Sequence, residues 1–143
     1  MGKGNTFSND LLKLTFNATG IANIADNTAT SPLTNLYVAL HTANPGASGT
    51  QATSEAAYTS YGRATVARTT GGWTASSGQS TSPVSTISFA AATGGSETET
   101  YGSVGVAISG STKLLYSGTV TPNIVVSNGV TPQLTTASTI TEA

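Results

Sequence analysis

Short runs of apolar and β-branched residues, separated by glycine, proline, asparagine and serine, limit most strongly what this chain can fold into. The first clear run follows Asn35, where Leu36, Val38 and Leu40 alternate with residues that would face the opposite side of a strand. A period of two is that of a half-buried β-strand. Turn-forming residues follow at 44–46, where the strand is expected to end.

The same alternation recurs along the rest of the chain and predicts further short strands. They are expected at 62–68, 87–89, 104–108, 113–120 and 124–126, with edge strands near 134 and 138–141. Asn128-Gly129 is a strong hairpin signal. Six to eight short strands with regular turns predict an all-β fold, a single β-sandwich or jelly-roll-like domain. The residues expected in its core are Leu36, Val38, Leu40, Val66, Ile87, Phe89, Val104, Val106, Ile108 and Leu115.

One short helix is predicted at the N-terminus. Leu12 and Phe16 have the i, i+4 spacing of an apolar helix stripe. Ser8 is the expected N-cap, and Gly20 is expected to end the helix. The sequence therefore predicts a helix and arm over residues 1–34, followed by the β-sandwich domain over 35–143.

The composition argues against several classes of function. The chain has no cysteine, one histidine, 8% charged residues and a formal net charge of -1. A thiolate metal site cannot form without cysteine, and no basic stripe is present to neutralise the phosphates of a nucleic acid. No apolar run approaches the length that a membrane-spanning helix needs. We expect no cofactor, no nucleic-acid partner and no membrane partner.

Few groups could support catalysis. His41 is the only imidazole, and at a strand end it is expected to be a hydrogen-bonded structural residue. Glu97 and Glu99 would share a face of a strand, where they form either an exposed acidic edge or, with Asp26, the carboxylates of a glycosidase. A calcium site is a further alternative, formed by Asp26, Asn23 and Asn27. We expect that the protein is not an enzyme.

Contacts with other molecules are the expected work of this chain, and five residues are the candidates for them. Because only five basic residues are present, Arg63 and Arg68 are each expected to have a partner, and at least one to form an ion pair. The aromatic residues could stack on sugars or could close the ends of a sandwich. Tyr58, Tyr61 and Trp73 are the candidates for exposed contact.

Several segments give the chain a resemblance to a widespread family of small tailed-bacteriophage virion proteins. They are LYVALHTANPG at 36–46, YGRATVAR at 61–68, GGW at 71–73, LLYSG at 114–118, VTPNI at 120–124 and SNGVTP at 127–132. The resemblance extends over nearly the whole chain. It implies a structural component of the virion and supplies no catalytic residues.

Two structural roles are compatible with this resemblance. The small size and the absence of long repeats favour a homo-oligomeric capsid decoration (cement) protein that is assembled in the host cytoplasm. It would bind the major capsid protein at the capsid surface. Members of the family are often labelled tail fibre proteins, so the alternative is a tail fibre or tail-tip component that contacts a host glycan. A glycan-degrading virion enzyme is the third alternative.

Overall fold

The computed structural model describes residues 4–21 and 32–142. These residues form mostly antiparallel sheet with one short N-terminal helix, which confirms the predicted all-β class. The elements in chain order are α1 (Asn5–Asn17), β1 (Asn35–His41), β2 (Ala64–Ala67), β3 (Ser80–Thr81), β4 (Ile87–Ser88), β5 (Glu97–Gly105), β6 (Leu114–Val126), β7 (Gln133–Leu134) and β8 (Ile140–Thr141).

The chain divides into two compact units, and each unit combines separate stretches of sequence. The helix unit comprises Met1–Asn35, Val66–Thr86 and Leu134–Ala143, and the sheet unit comprises Leu36–Thr65 and Ile87–Gln133. The boundary predicted between residues 34 and 35 stays a prediction.

A four-stranded sheet with the order β2-β1-β5-β6 organises the sheet unit. β5 pairs antiparallel with β1 on one side, with Val104 opposite Val38, and antiparallel with β6 on the other. The buried apolar side chains include six of the predicted core residues, namely Leu36, Val38, Leu40, Ile87, Phe89 and Val104. The alternating pattern after residue 35 therefore identified one buried face of β1 correctly, although Ala39 and His41 on the opposite face are buried as well.

In the helix unit, α1 buries Leu12 and Phe16, as the i, i+4 spacing predicted. The helix ends at Ala18, which has a left-handed backbone (φ 54°), and the N–H of Thr19 donates to the carbonyl oxygen of Lys13. This is the usual way in which a helix end satisfies its last carbonyl groups. A second element of the unit is the two-stranded sheet of β3 and β8.

The predicted caps of α1 are wrong at both ends. Gly4 is the N-cap, and Ser8 is a buried residue inside the helix whose N–H donates to the carbonyl oxygen of Gly4. The helix begins at Asn5, and no side chain caps its first turn. It ends before Gly20, at Ala18.

The predicted strands at the C-terminal half also need correction. β5 ends at Gly105, so Ile108 lies beyond it and is 57% exposed rather than in the core. Residues 113–126 were expected to form two strands but contribute a single strand, β6, with an irregular register opposite Glu99 and Tyr101. Three further residues of the predicted core, Val66, Val106 and Leu115, are only half-buried.

Candidate functional site

A buried ion pair between Arg63 and Glu55 lies at the centre of a polar network in the sheet unit. The Nε of Arg63 is 2.7 Å from Oε1 of Glu55, and Nη2 donates to Oε2 at 2.8 Å. This two-point contact matches the planar fork of a guanidinium to a carboxylate. The neighbouring carboxylate raises the pKa of Arg63, so its charge is permanent. The predicted ion pair of an arginine is thereby confirmed.

The remaining donors of Arg63 bind the loop that follows β5. They reach the carbonyl oxygens of Ala107 (2.9 Å) and Gly110 (2.8 Å) and the hydroxyl of Thr112 (3.1 Å). Every nitrogen of the guanidinium therefore has an acceptor. A buried cation with this many acceptors fixes the conformation of the segments it touches.

The two tyrosines that were expected to be exposed belong to the interior of the sheet unit. Tyr58 is 3% exposed, and its hydroxyl donates to the carbonyl oxygen of Ala90 at 3.0 Å. The hydroxyl of Tyr61 accepts the N–H of Leu40 and donates to Glu55, both at 3.1 Å. The expected exposure of Tyr58 is therefore wrong, and Tyr61 is half-buried with its hydroxyl already bonded. Burial raises the pKa of Tyr58 to about 12.

In the helix unit, Trp73 and Arg68 hold α1. Trp73 is 1% exposed, and its ring packs edge-on against Phe16 with 4.7 Å between the centroids. Arg68 donates to the carbonyl oxygens of Leu14 and Thr15 near the C-terminal end of the helix. A cation at that end is favoured by the helix dipole. The expected exposure of Trp73 is wrong, because the indole ring fills the core beneath the helix.

The side chain of His41 is buried between two hydrogen-bond partners. Its Nδ1 lies 2.9 Å from the carbonyl oxygen of Thr53, and its Nε2 lies 2.7 Å from the hydroxyl of Ser103. Since a carbonyl only accepts, Nδ1 carries the proton and Nε2 accepts from Ser103. Burial lowers the pKa of His41. The predicted structural histidine is confirmed, and the burial of both Ser103 and His41 keeps this pair from bulk solvent.

Glu97 and Glu99 lie on one face of β5, as their spacing predicted, but they do not form an exposed acidic edge. Oε1 of Glu97 accepts the N–H groups of Ala57 and Tyr58, each at 2.8 Å. Glu99 is 0% exposed, and neither of its carboxyl oxygens has a hydrogen-bond partner. Burial, followed by the charge of Glu97, raises the pKa of Glu99 to about 8.

Sequence reasoning missed Glu55, and it named Glu99 without predicting that its side chain is buried. A partner for Arg63 was expected among the few acidic residues, and that scarcity was the only signal for Glu55. The burial of Glu99 had no signal, because its neighbours Thr98 and Thr100 give β5 no apolar alternation there.

The predicted calcium and glycosidase sites include residues that the structure does not describe. Asp26, Asn23 and Asn27, the residues of the calcium and glycosidase alternatives, lie outside the described residues. Within residues 4–21 and 32–142, no group of three or more histidine, aspartate or glutamate side chains could hold a metal ion. In the same part of the chain, no helix has both the length and the apolar character to cross a membrane.

The exposed apolar side chains differ from the predicted contact residues. Phe7, Leu33 and Val84 are exposed in the helix unit, and Ile108 and Val125 are exposed in the sheet unit. Single exposed apolar residues are common on protein surfaces. The proposed interface role of Arg63, Arg68, Tyr58, Tyr61 and Trp73 stays a prediction, and the burial of three of them leaves Arg68 and Tyr61 as the more accessible members.

Comparison with known proteins gave one family. A model of the family Gp80, described as podophage GP4 fiber I protein gp80, matches residues 4–141. A search of curated proteins found no match to the chain.

Proposed function

Since the chain belongs to the Gp80 family of podophage GP4 fiber I proteins, we propose that it is a non-catalytic structural subunit of a podophage virion fibre. It would work through repeated contacts with copies of itself and with neighbouring virion proteins. Symmetric repetition of one contact is the usual way in which identical subunits assemble.

The observation that carries this proposal is the family match over residues 4–141, which includes every described strand. The family is that of phage virion structural proteins, and its name refers to a fibre. The earlier preference for capsid decoration, with the major capsid protein as partner, therefore becomes the alternative outcome of the test.

The placement of the polar groups supports a non-catalytic role. His41, Arg63 and Glu99 are all buried, and the first two are bonded to groups of the chain itself. Catalytic groups must reach a substrate within hydrogen-bond distance. In this chain the side chains of His41 and Arg63 instead bond to other segments of the sheet unit.

The location in the virion is tested by counting and locating copies of the protein. We expect quantitative mass spectrometry of purified particles to give few copies, and a gold-labelled antibody to bind at the tail. Deletion of the protein should reduce adsorption to the host and leave the heads as resistant to bursting as those of the parent phage. Hundreds of copies on the head, with heads that burst more easily after deletion, would contradict the fibre role and support capsid decoration.

The absence of catalysis is tested separately with host surface polysaccharide. We expect the purified protein to release no new reducing ends after prolonged incubation. The matched variants are Glu97→Gln and Glu99→Gln, which remove the two carboxylates that a glycosidase would use. Reducing ends that form with the parent protein and are lost in either variant would overturn the non-catalytic role.

A further inference from the structure

A carboxyl group whose oxygens accept no hydrogen bond from a described N–H or O–H donor lies in the interior of the sheet unit. Glu99 is 0% exposed, and its two carboxyl oxygens are both buried and unpartnered. An ionised carboxylate in such a place loses its hydration without compensation, which proteins almost always avoid. The group must either find a counter-charge or bind a proton.

The charged group that acts on Glu99 is another carboxylate, that of Glu97. Glu97 lies two residues earlier on β5 and therefore on the same face of the strand. The β6 residues that pair with Glu97 and Glu99 are Val126 and Ile124, which are both apolar. A negative charge at Glu99 would be repelled by the charge of Glu97.

Glu97 differs from Glu99 because it has donors. Its Oε1 accepts the backbone N–H groups of Ala57 and Tyr58 at 2.8 Å each. The two carboxyl groups therefore have unequal surroundings: one has donors for its charge, and the other has none. Unequal surroundings separate the protonation states of paired carboxyl groups.

We propose that Glu99 carries a proton and donates its carboxylic O–H to the carboxylate of Glu97. The two side chains then form an acid–carboxylate pair that secures residues 57 and 58 to β5. No atom is transferred beyond this one proton, which solvent supplies at low pH and accepts at high pH. The pair is an alkali-sensitive latch within the sheet unit.

The surroundings of the latch raise the pKa values of its titratable groups. Burial raises the pKa of Glu99 to about 8, and Glu97 adds to this effect. Tyr58, on the segment that the latch holds, has its own pKa raised by burial and by both carboxylates. Because the pKa of Glu99 is higher in the folded than in the unfolded state, the stabilisation is complete below the ordinary carboxyl pKa. It is lost as the pH rises through about 8.

The protonation state can be measured directly on the full chain. With glutamate labelled by ¹³C at the side-chain carboxyl, we expect one resonance of the native protein to titrate near pH 8 and to be absent in Glu99→Gln. Urea unfolding of the parent chain should show a folding equilibrium constant that falls by up to tenfold per pH unit between about pH 6.5 and about pH 8, where the opposite pH dependence of His41 has ended. Glu99→Gln retains a donor for Glu97 and should lose this part of the pH dependence.

Two controls separate the latch from general effects of charge. Asp10→Asn removes a carboxylate of the helix unit and should leave the fall between about pH 6.5 and about pH 8 unchanged. If Glu99→Gln does not fold, the ¹³C titration of the parent chain still tests whether Glu99 is protonated. A Glu99 resonance that titrates in the ordinary carboxyl range would overturn the proposal.

A bound cation is the other way to compensate the two carboxylates, and the same samples test it. We expect calcium or magnesium chloride to leave the Glu99 resonance and the stability at about pH 9 unchanged, relative to sodium chloride of equal ionic strength. A divalent-specific stabilisation of the parent chain that is absent in Glu99→Gln would replace the proton with a metal ion and overturn the latch.

Discussion

Each guanidinium nitrogen of Arg63 donates to an acceptor of the sheet unit, and its charge is balanced by Glu55. The side chain of Arg63 is 1% exposed and that of Glu55 is 18% exposed. The pair is therefore mostly desolvated, and the removal of one partner leaves the other without compensation. Such losses are larger than those of exposed ion pairs.

Replacement of Arg63 by methionine should lower the free energy of unfolding by about 3 kcal/mol, because Glu55 then stays partly buried without its cation. A double variant, Arg63→Met with Glu55→Leu, should recover part of that loss, since no charge remains to be desolvated. Urea unfolding of the single and double variants measures both effects.

Arg68→Met is the control for this comparison, because Arg68 donates to backbone carbonyl oxygens in the helix unit. It should cost about 1–2 kcal/mol, as expected for the loss of charge-assisted hydrogen bonds. If the losses of Arg63→Met and Glu55→Leu simply add in the double variant, the two residues do not act as a coupled pair.

β5 shows how tightly an element can depend on one small residue. A Cβ atom at Gly105 would lie 2.0 Å from both Cδ and Oε1 of Gln51, which is itself fully buried. The amide of Gln51 also donates to the carbonyl oxygen of Tyr37, so the side chain has little freedom to move away. The end of β5 therefore requires glycine for close approach.

Gly105→Ala should lower the free energy of unfolding by about 1–3 kcal/mol, the usual cost of forcing extra volume into a packed interior. Gly118→Ala on β6 is the matched control, since a Cβ there meets nothing within 4 Å. The control should change stability by less than about 0.5 kcal/mol. Equal thermal midpoints for the two variants would show that Gln51 yields to the new methyl group.

The prediction of elements from the sequence succeeded where apolar residues alternate strongly. It failed where a polar segment is a strand only because it pairs with a neighbouring strand. β1 and α1 were found with their buried faces, because Leu36, Val38, Leu40, Leu12 and Phe16 carry the periodic signal. The first half of β5 is polar and gave no signal, although β6 pairs with it there. β6 continues through Pro122, because a proline is tolerated in an edge strand.

The candidate contact residues were harder to predict because burial depends on partners far along the chain. The ring of Trp73 is buried against Phe16, and the hydroxyl of Tyr58 bonds to Ala90. A single sequence does not place these residues together. The partner of Arg63 was predictable in kind, since a rare cation in a nearly uncharged chain needs an anion, although its identity as Glu55 was not.

For the whole molecule, low charge is consistent with the proposed assembly of copies. Only 8% of the residues are of charged types, the formal net charge is -1, and the side chains of Arg63 and Glu99 are buried. Copies of such a chain repel one another little, and a small net charge favours association. The proposed fibre subunit therefore needs no counter-charge from a partner to assemble.

The stability of the sheet unit depends on two titratable groups with opposite signs. Burial lowers the pKa of His41 below its ordinary value of 6.5, so stability is lost as the pH falls below that value. Glu99, with a pKa raised from 4.5 to about 8, loses stability as the pH rises across this range. Between about pH 4.5 and about pH 6.5 the two dependences oppose each other, and above that range only the loss from Glu99 remains.

We therefore expect the free energy of unfolding of the parent chain to be greatest on the acid side of neutrality and to decline from about pH 6.5 to about pH 8. In Glu99→Gln the alkaline decline should disappear, while the loss below pH 6.5 should persist because His41 is unchanged. Urea unfolding at intervals between about pH 4 and about pH 9 gives both curves. If the free energy of unfolding of the parent chain rises or stays level from about pH 6.5 to about pH 8, Glu99 is ionised in the folded state across this range. In that case the opposing dependence of His41 alone would place the optimum at neutral or alkaline pH.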